Sequence, residues 1–213
     1  MRLPSPSFFM RVMYTSRITV SPCALNTELL TEVKPICKGN VMGKRSNFER
    51  RPQDKYYTPE SAVVPLLPHL NPNSTFVEPC AGDGRLIRHL EAAGHSCHYA
   101  CDIEPDDVRI PKRDALEITH VAADYVISNP PWRRDVLHPL IKHFVKLAPT
   151  WFLADANWMF TKQATPYLRW CSKVVTIGRV KWIEDSKMTG KDDCVWYLFE
   201  KDAIQTVFYP RSP

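Results

Sequence analysis

The chain has 213 residues, 44% hydrophobic and 24% charged, a composition that suits one soluble globular domain with extensions. No stretch approaches the ~18 uninterrupted apolar residues of a membrane span. Charge is unevenly spread: residues 1–55 carry ten Lys/Arg against four Asp/Glu, residues 56–132 five against eleven, and residues 133–213 thirteen against eight. The acidic middle suits a cofactor bearing positive charge and the basic second half a polyanion. A mixed solvated surface would also account for both.

Seven cysteines, an odd number with no CxxC pair, argue for reduced thiols and a cytoplasmic location rather than a secreted disulfide framework. His95, Cys97, His98 and Cys101 cluster as a metal site would. They fall on one predicted strand, however, where alternation points Cys97 and His98 to opposite faces, so no metal is expected.

Residues 1–41 have no acidic residue before Glu28, scattered Arg2, Arg11 and Arg17, and no sustained periodicity. Arg11 interrupts any signal-peptide core. A transit peptide is one reading; a disordered basic extension over residues 1–55 is the expectation, with Met42 as a second plausible start and the folded domain over 56–213.

Beyond Pro59 helical and extended patterns alternate. Glu60 to Leu67 reads as a short helix stopped by Pro68. Thr75 to Val77 is a short apolar strand, and Gly84 to Ala93 an amphipathic helix with Gly94 at C′. A strand from Ser96 to Cys101 runs into an acidic turn, and Asp124 to Ser128 is another strand. Asp135 can cap a helix carrying Leu137, Leu140, Ile141 and Phe144, with Pro139 tolerable in its first turn. Trp151 to Ala154 is a strand, Pro166 opens a helix capped by Thr165, and Val174 to Ile177 and Cys194 to Phe199 are the last strands. This alternation predicts a mainly parallel sheet covered on both faces, a three-layer α/β/α sandwich with an antiparallel hairpin at one edge.

Three constellations carry chemistry. The first is Phe76-Val77-Glu78-Pro79-Cys80-Ala81-Gly82-Asp83-Gly84, a strand running through a glycine loop into a helix, where a ligand can approach the backbone closely. A dinucleotide site would want a third glycine where Leu86-Ile87 falls. The acidic Glu78 ahead of the loop points instead to a cationic ligand. The second is a pair of carboxylates at later strand ends. Asp102, about 20 residues on, can accept from ribose hydroxyls, or simply brace a turn. Asp114, with Ala115 and Leu116 behind it at the third strand position, can accept from an adenine amino group. The third is Ser128-Asn129-Pro130-Pro131-Trp132. Two prolines fix φ and remove two amide donors, leaving a rigid row of carbonyls. A planar amine could stack on Trp132 and donate to Asn129 and the Pro130 carbonyl. An NPP turn that merely stops a strand is the plainer alternative.

At these residues the chain resembles the class I S-adenosylmethionine-dependent methyltransferases, specifically the amino-methylating group with (D/N/S)PP(Y/F/W). The similarity runs over residues 56–200 and is greatest to small adenine-specific DNA methyltransferase-like proteins of phages and prophages. The resemblance implies a Rossmann-like fold with a seven-stranded sheet, S-adenosylmethionine as cofactor, and methyl transfer to an exocyclic amine, adenine N6 in DNA first. It implies cofactor contacts from Tyr57, Thr58, Pro59, Glu78, Pro79, Cys80, Ala81, Gly82, Gly84, Asp102, Ile103, Asp114, Ala115 and Asn129. Asn129, Pro130, Pro131 and Trp132 match the catalytic tetrapeptide. The terminal Trp departs from the commoner Tyr or Phe but preserves a stacking surface. Transfer would be direct, by positioning and electrostatics, with a duplex target flipped onto Trp132.

Substrate contacts are expected from the Asn157-Trp158 loop and from Arg179 to Asp193, which holds Arg179, Lys181, Trp182, Lys187 and Lys191. Such a loop would clamp a backbone and stack a base, with little sequence preference. RNA adenine, a protein glutamine, and a catalytically silent module that binds nucleic acid are the alternatives. For a phage protein the compartment would be the host cytoplasm.

Overall fold

In the computed structural model, residues 55–183 and 189–211 are described, all within the unit Phe48–Pro213. The extension expected over residues 1–55, except Lys55, and the predicted substrate residue Lys187 lie outside the described residues.

Seven strands form one sheet: β1 (Thr75–Glu78), β2 (Ser96–Ala100), β3 (Tyr125–Ser128), β4 (Thr150–Asp155), β5 (Cys171–Arg179), β6 (Asp193–Phe199) and β7 (Val207–Tyr209). Their order is β2-β1-β3-β4-β6-β5-β7. All neighbours are parallel except around β6, which runs antiparallel to both β4 and β5. The β5–β6 hairpin is therefore present as read, and β7 extends the sheet one strand beyond it. Among the described residues four α-helices accompany the strands: α1 (Glu60–Val63), α2 (Arg85–Ala92), α3 (Arg134–Phe144) and α4 (Thr165–Leu168).

Alternation along each strand builds two cores. Val77, Val126, Phe152, Ala154, Val195, Tyr197 and Phe199 pack on one face with Leu137, Ile141 and Phe144 of α3. Phe76, Ile127, Trp151, Leu153, Trp196 and Leu198 pack on the other with Ala62, Val63, Leu86 and Leu90 of α1 and α2. Central strands buried on both sides read as continuous apolar runs, which is why WFLA and VWYLF carry no polar alternation. The result is the three-layer sandwich. Trp196 also ties two layers by a hydrogen bond, its fully buried Nε1 donating to the Ala62 carbonyl at 2.7 Å. Trp196→Phe strands that carbonyl and should cost about 1–3 kcal/mol, to be read from the shift in urea midpoint at constant m.

Proline chemistry accounts for most departures from the sequence reading. The helix expected over 60–67 is one α turn followed by a 3-10 helix, Val64–His69, because Pro65 and Pro68 supply no amide donors. The third strand position, directly after Pro111, shrinks to a single parallel bridge, Asp102 to Lys112. Asp135 sits in the first turn of α3, with Arg133 at the N-cap, and Ala164 rather than Thr165 precedes α4.

In β2, Phe76 faces Cys97 while Val77 faces Tyr99, leaving His98 as an extra residue. This bulge directs His98 Nδ1 to the Ala122 carbonyl at 2.8 Å. His95 pairs with the Ser74 hydroxyl, so the four residues of the suspected metal cluster are engaged separately. Among the described residues no group of His, Cys, Asp or Glu could hold a metal ion, and no helix is long and apolar enough to cross a membrane.

Candidate active site

From β1 the chain moves out to the edge strand β2, then returns to the opposite side of β1 as β3. Such a reversal opens a crevice at the carboxyl ends of the strands. A cleft of about 380 Å³ lies there, lined by Tyr57, Thr58, the segment 78–83, Asp102, Ile103, residues 114–116, Asn129, Pro131 and the start of α3. The structure thus brings together nearly every residue predicted for a cofactor. A second hollow, on the β2 flank among His98, Tyr99 and Arg113, contains none of them.

Gly82 (φ 54°) and Gly84 (φ 72°) both adopt left-handed backbone, conformations that other residues reach only with strain. They fold the loop back so that the Gly82 amide donates to Asp102 Oδ2 and the Glu104 amide to Asp102 Oδ1, each at 2.8 Å. Asp102, read as a ribose acceptor, is also the brace joining two loops of the cleft. Asp102→Ala should therefore weaken cofactor binding by at least about tenfold, measurable by titration calorimetry. Asp114 Oδ1 accepts the Leu116 amide at 2.9 Å and caps the 3-10 helix Ala115–Glu117, which sets Ala115 and Leu116 against the cleft.

Glu78, at the end of β1, is 2% exposed and its Oε2 has no hydrogen-bond partner among the described residues. Burial, with the nearby Asp102 and Asp83 charges, raises its pKa well above the usual carboxylate range. An orphaned buried carboxyl lining a cleft fits a ligand that brings its own positive charge. Burial likewise pushes the Cys80 thiol up, which leaves it a packing group rather than a nucleophile.

The segment before α1 is strapped across this cleft. The Tyr57 hydroxyl donates to Asp106 Oδ2 at 2.6 Å, and Lys55 Nζ reaches the Glu104 carbonyl and Asp106 Oδ1. Thr58, within the strap, is buried, and Pro59 leads into α1. The Tyr57 hydroxyl and then Lys55 hold Asp106 below its ordinary pKa. Neither Lys55, Tyr56 nor Asp106 was singled out by sequence; only the neighbouring Tyr57-Thr58-Pro59 pointed to this strap.

Asn129 follows β3. Its Nδ2 donates to the Tyr56 carbonyl at 3.0 Å, and its Oδ1 accepts from Trp132 Nε1 at 3.2 Å. The same indole N–H reaches the Leu153 carbonyl of β4 at 3.1 Å. Trp132 was expected to offer a ring face alone; the structure gives its edge a hydrogen-bonding role that the stacking argument overlooked. Pro130 is buried and Pro131 lines the cleft. Trp182, from the loop after β5, lies edge-on to Trp132 with centroids 5.7 Å apart, and Tyr56 flanks it at 6.1 Å. The loop is fastened by the Gly190 amide on the Val180 carbonyl at 2.7 Å. A Cβ at Gly190 would meet that carbonyl at 2.9 Å and the Trp182 ring at 3.0 Å, so glycine alone permits the closure.

Trp158 is a correction. It is 5% exposed, its Nε1 donates to His138 Nε2 at 3.0 Å, and its ring packs on Tyr197 and Phe199. It belongs to the core, and no face is left for a substrate; within the same 3-10 helix, Ala156–Phe160, Asn157 and Phe160 are the exposed side chains, Phe160 at 80% exposure. Of the basic loop residues, Lys181 and Lys191 are exposed, while Arg179 leans on Asp193 across the hairpin at 4.0 Å.

No family model and no curated protein matches the sequence. Solved structures do resemble the fold. A protein described as an RNA methyltransferase from Pyrococcus horikoshii is 17% identical, with 70% of this chain and 88% of that chain covered and a TM-score of 0.52. One described as a class I S-adenosylmethionine-dependent methyltransferase from Listeria monocytogenes is 13% identical, with 73% and 66% covered and a TM-score of 0.51. The methyltransferase subunit of a type I restriction-modification system from Streptococcus thermophilus is 10% identical, with 73% and 47% covered and a TM-score of 0.50. The chain thus spans about half the length of the last. The likeness defines the fold: a Rossmann-like methyltransferase fold.

Proposed function

We propose that the chain transfers a methyl group from S-adenosylmethionine to an exocyclic amino nitrogen, adenine N6 in DNA first. The observation that carries this reading is the Asn129 amide, held by both ends at the carboxyl end of β3, beside a cleft that contains a partnerless buried carboxyl.

Glu78, Asp102, Asp114, the backbone of Gly82 and Gly84, and the Tyr57–Pro59 strap would hold the cofactor. When bound, it would supply an electrophilic methyl on a sulfonium, with a neutral thioether as the leaving group. Asn129 Oδ1 and the Pro130 carbonyl accept the two hydrogens of the target amine. Accepting them draws the nitrogen towards a tetrahedral shape and frees its lone pair for attack. The surplus proton on the methylated nitrogen passes to water, so the chain needs no dedicated base. Positioning and electrostatics supply the rate. The aromatic group Tyr56, Trp132 and Trp182 fits a planar target, and Arg179, Lys181 and Lys191, on the same carboxyl side of the sheet, suit a polyanion's backbone.

Purified protein, cofactor labelled on its methyl, and duplex DNA, single-stranded DNA or RNA offered in parallel form the test, with products digested to nucleosides. Label in N6-methyladenine from DNA supports the proposal. Label confined to RNA moves the substrate and keeps the chemistry, and no label in any polymer overturns the reading.

A further inference from the structure

We infer that Trp132 is a positioning residue whose indole N–H, together with the Tyr56 carbonyl, fixes which end of the Asn129 amide faces the target. The inference rests on the methyl-transfer reading above and adds a role for this side chain beyond stacking.

The carbonyl and amino ends of an asparagine amide are nearly the same size, so packing alone does not choose between them. Turned end for end, Asn129 would meet the target with a donor, and two amino groups would face each other. Its partners here settle the choice. An indole N–H only donates, and a backbone carbonyl only accepts. The first holds Oδ1 at 3.2 Å and the second holds Nδ2 at 3.0 Å. The flipped amide would lose both bonds and set N–H against N–H and oxygen against oxygen. Oδ1 keeps a second lone pair for the target, since a carbonyl oxygen has two.

The indole N–H is shared with the Leu153 carbonyl at 3.1 Å, which registers the loop after β3 to the end of β4. Trp132 packs against both core clusters, so the ring that carries the N–H is itself held. A Phe in its place would supply the ring without the donor. A Tyr would bring a hydroxyl that both donates and accepts, and so would not discriminate the two amide orientations.

The test replaces Trp132 with Phe and, separately, with benzothienylalanine, which keeps the bicyclic ring and exchanges N–H for sulfur. Both variants should lower kcat for methyl transfer roughly 10- to 100-fold, with the KM for nucleic acid and the cofactor Kd changed by less than about threefold. The benzothienyl variant guards against a simple packing defect. A benzothienyl variant with wild-type kcat, or a loss confined to KM, would overturn the inference, the latter in favour of pure stacking. Nitrogen-15 NMR separates this from failure of the reaction itself. Asn129→Ala should shift the Trp132 indole resonance, and Trp132→Phe should shift the Asn129 side-chain amide pair, whether or not any substrate is methylated. Indifference of both signals would overturn the positioning role even in an active enzyme.

Discussion

Asn129→Ala should lower methyl transfer by about 10²- to 10³-fold or more while leaving the affinity for S-adenosylmethionine within about threefold. The substitution removes the side-chain acceptor and leaves the Pro130 carbonyl in place. Backbone geometry should persist, because Pro130 and Pro131 fix the turn and the Trp132 indole still has the Leu153 carbonyl. On the proposed reading most of the cofactor's contacts come from other strand ends, Glu78, Asp102 and Asp114, which line the same cleft, so binding and chemistry should separate. Single-turnover transfer and calorimetric titration on the same preparation read the two quantities. Wild-type transfer by the variant would dispose of the mechanism, and an equal loss of binding would reassign Asn129 to the cofactor.

Glu78→Gln should act in opposite directions on the free protein and on the complex. The free protein holds a fully buried carboxyl with a raised pKa and an oxygen without a partner. Its unfolded chain ionises near pH 4.3, roughly the ordinary glutamate value. Between that pH and the raised folded value, the folded state holds a proton that the unfolded state has lost, so stability falls as pH rises. Gln carries no such slope and should raise the unfolding free energy by on the order of 1 kcal/mol at neutral pH, a few degrees in Tm. Cofactor binding runs the other way. A cationic ligand favours the ionised carboxylate, so affinity should rise with pH across the same window. Gln should weaken it about 10- to 100-fold and flatten the pH dependence. Thermal unfolding and calorimetry from pH 5 to 9 report both slopes. A wild-type affinity independent of pH would remove Glu78 from the cofactor site.

The layered fold was legible because central strands announce themselves. Trp151–Ala154 and Cys194–Phe199 are apolar on every residue, and only a sheet covered on both faces buries both alternating sets. That these residues share one cleft was legible because its parts are chemical: glycines in a strand-to-helix loop, strand-end carboxylates and a proline pair. Less visible were roles that reside in backbone atoms or in the direction a side chain takes. The Tyr56 carbonyl carries no signature, since any residue has one. Trp158 follows a strand, as a substrate residue would, but the rotation of the 3-10 helix Ala156–Phe160 turns it into the core and leaves Asn157 and Phe160 outward. Strand β7 escaped notice because three half-exposed residues, Val207 to Tyr209, carry too little pattern to distinguish from a tail.

Both margins of the sheet bear on how this protein survives at high concentration. A row of free amides and carbonyls along an outer strand is a template for a neighbouring molecule's chain. Here β7 offers only three residues for such templating, too few to nucleate a stable intermolecular ladder. On the far side, the extra residue at His98 breaks the even spacing of β2, so an incoming strand would fall out of step halfway along. The same bulge that sets His98 on the Ala122 carbonyl thus doubles as a guard against polymerisation, and deleting His98 would regularise the rim and invite fibre growth.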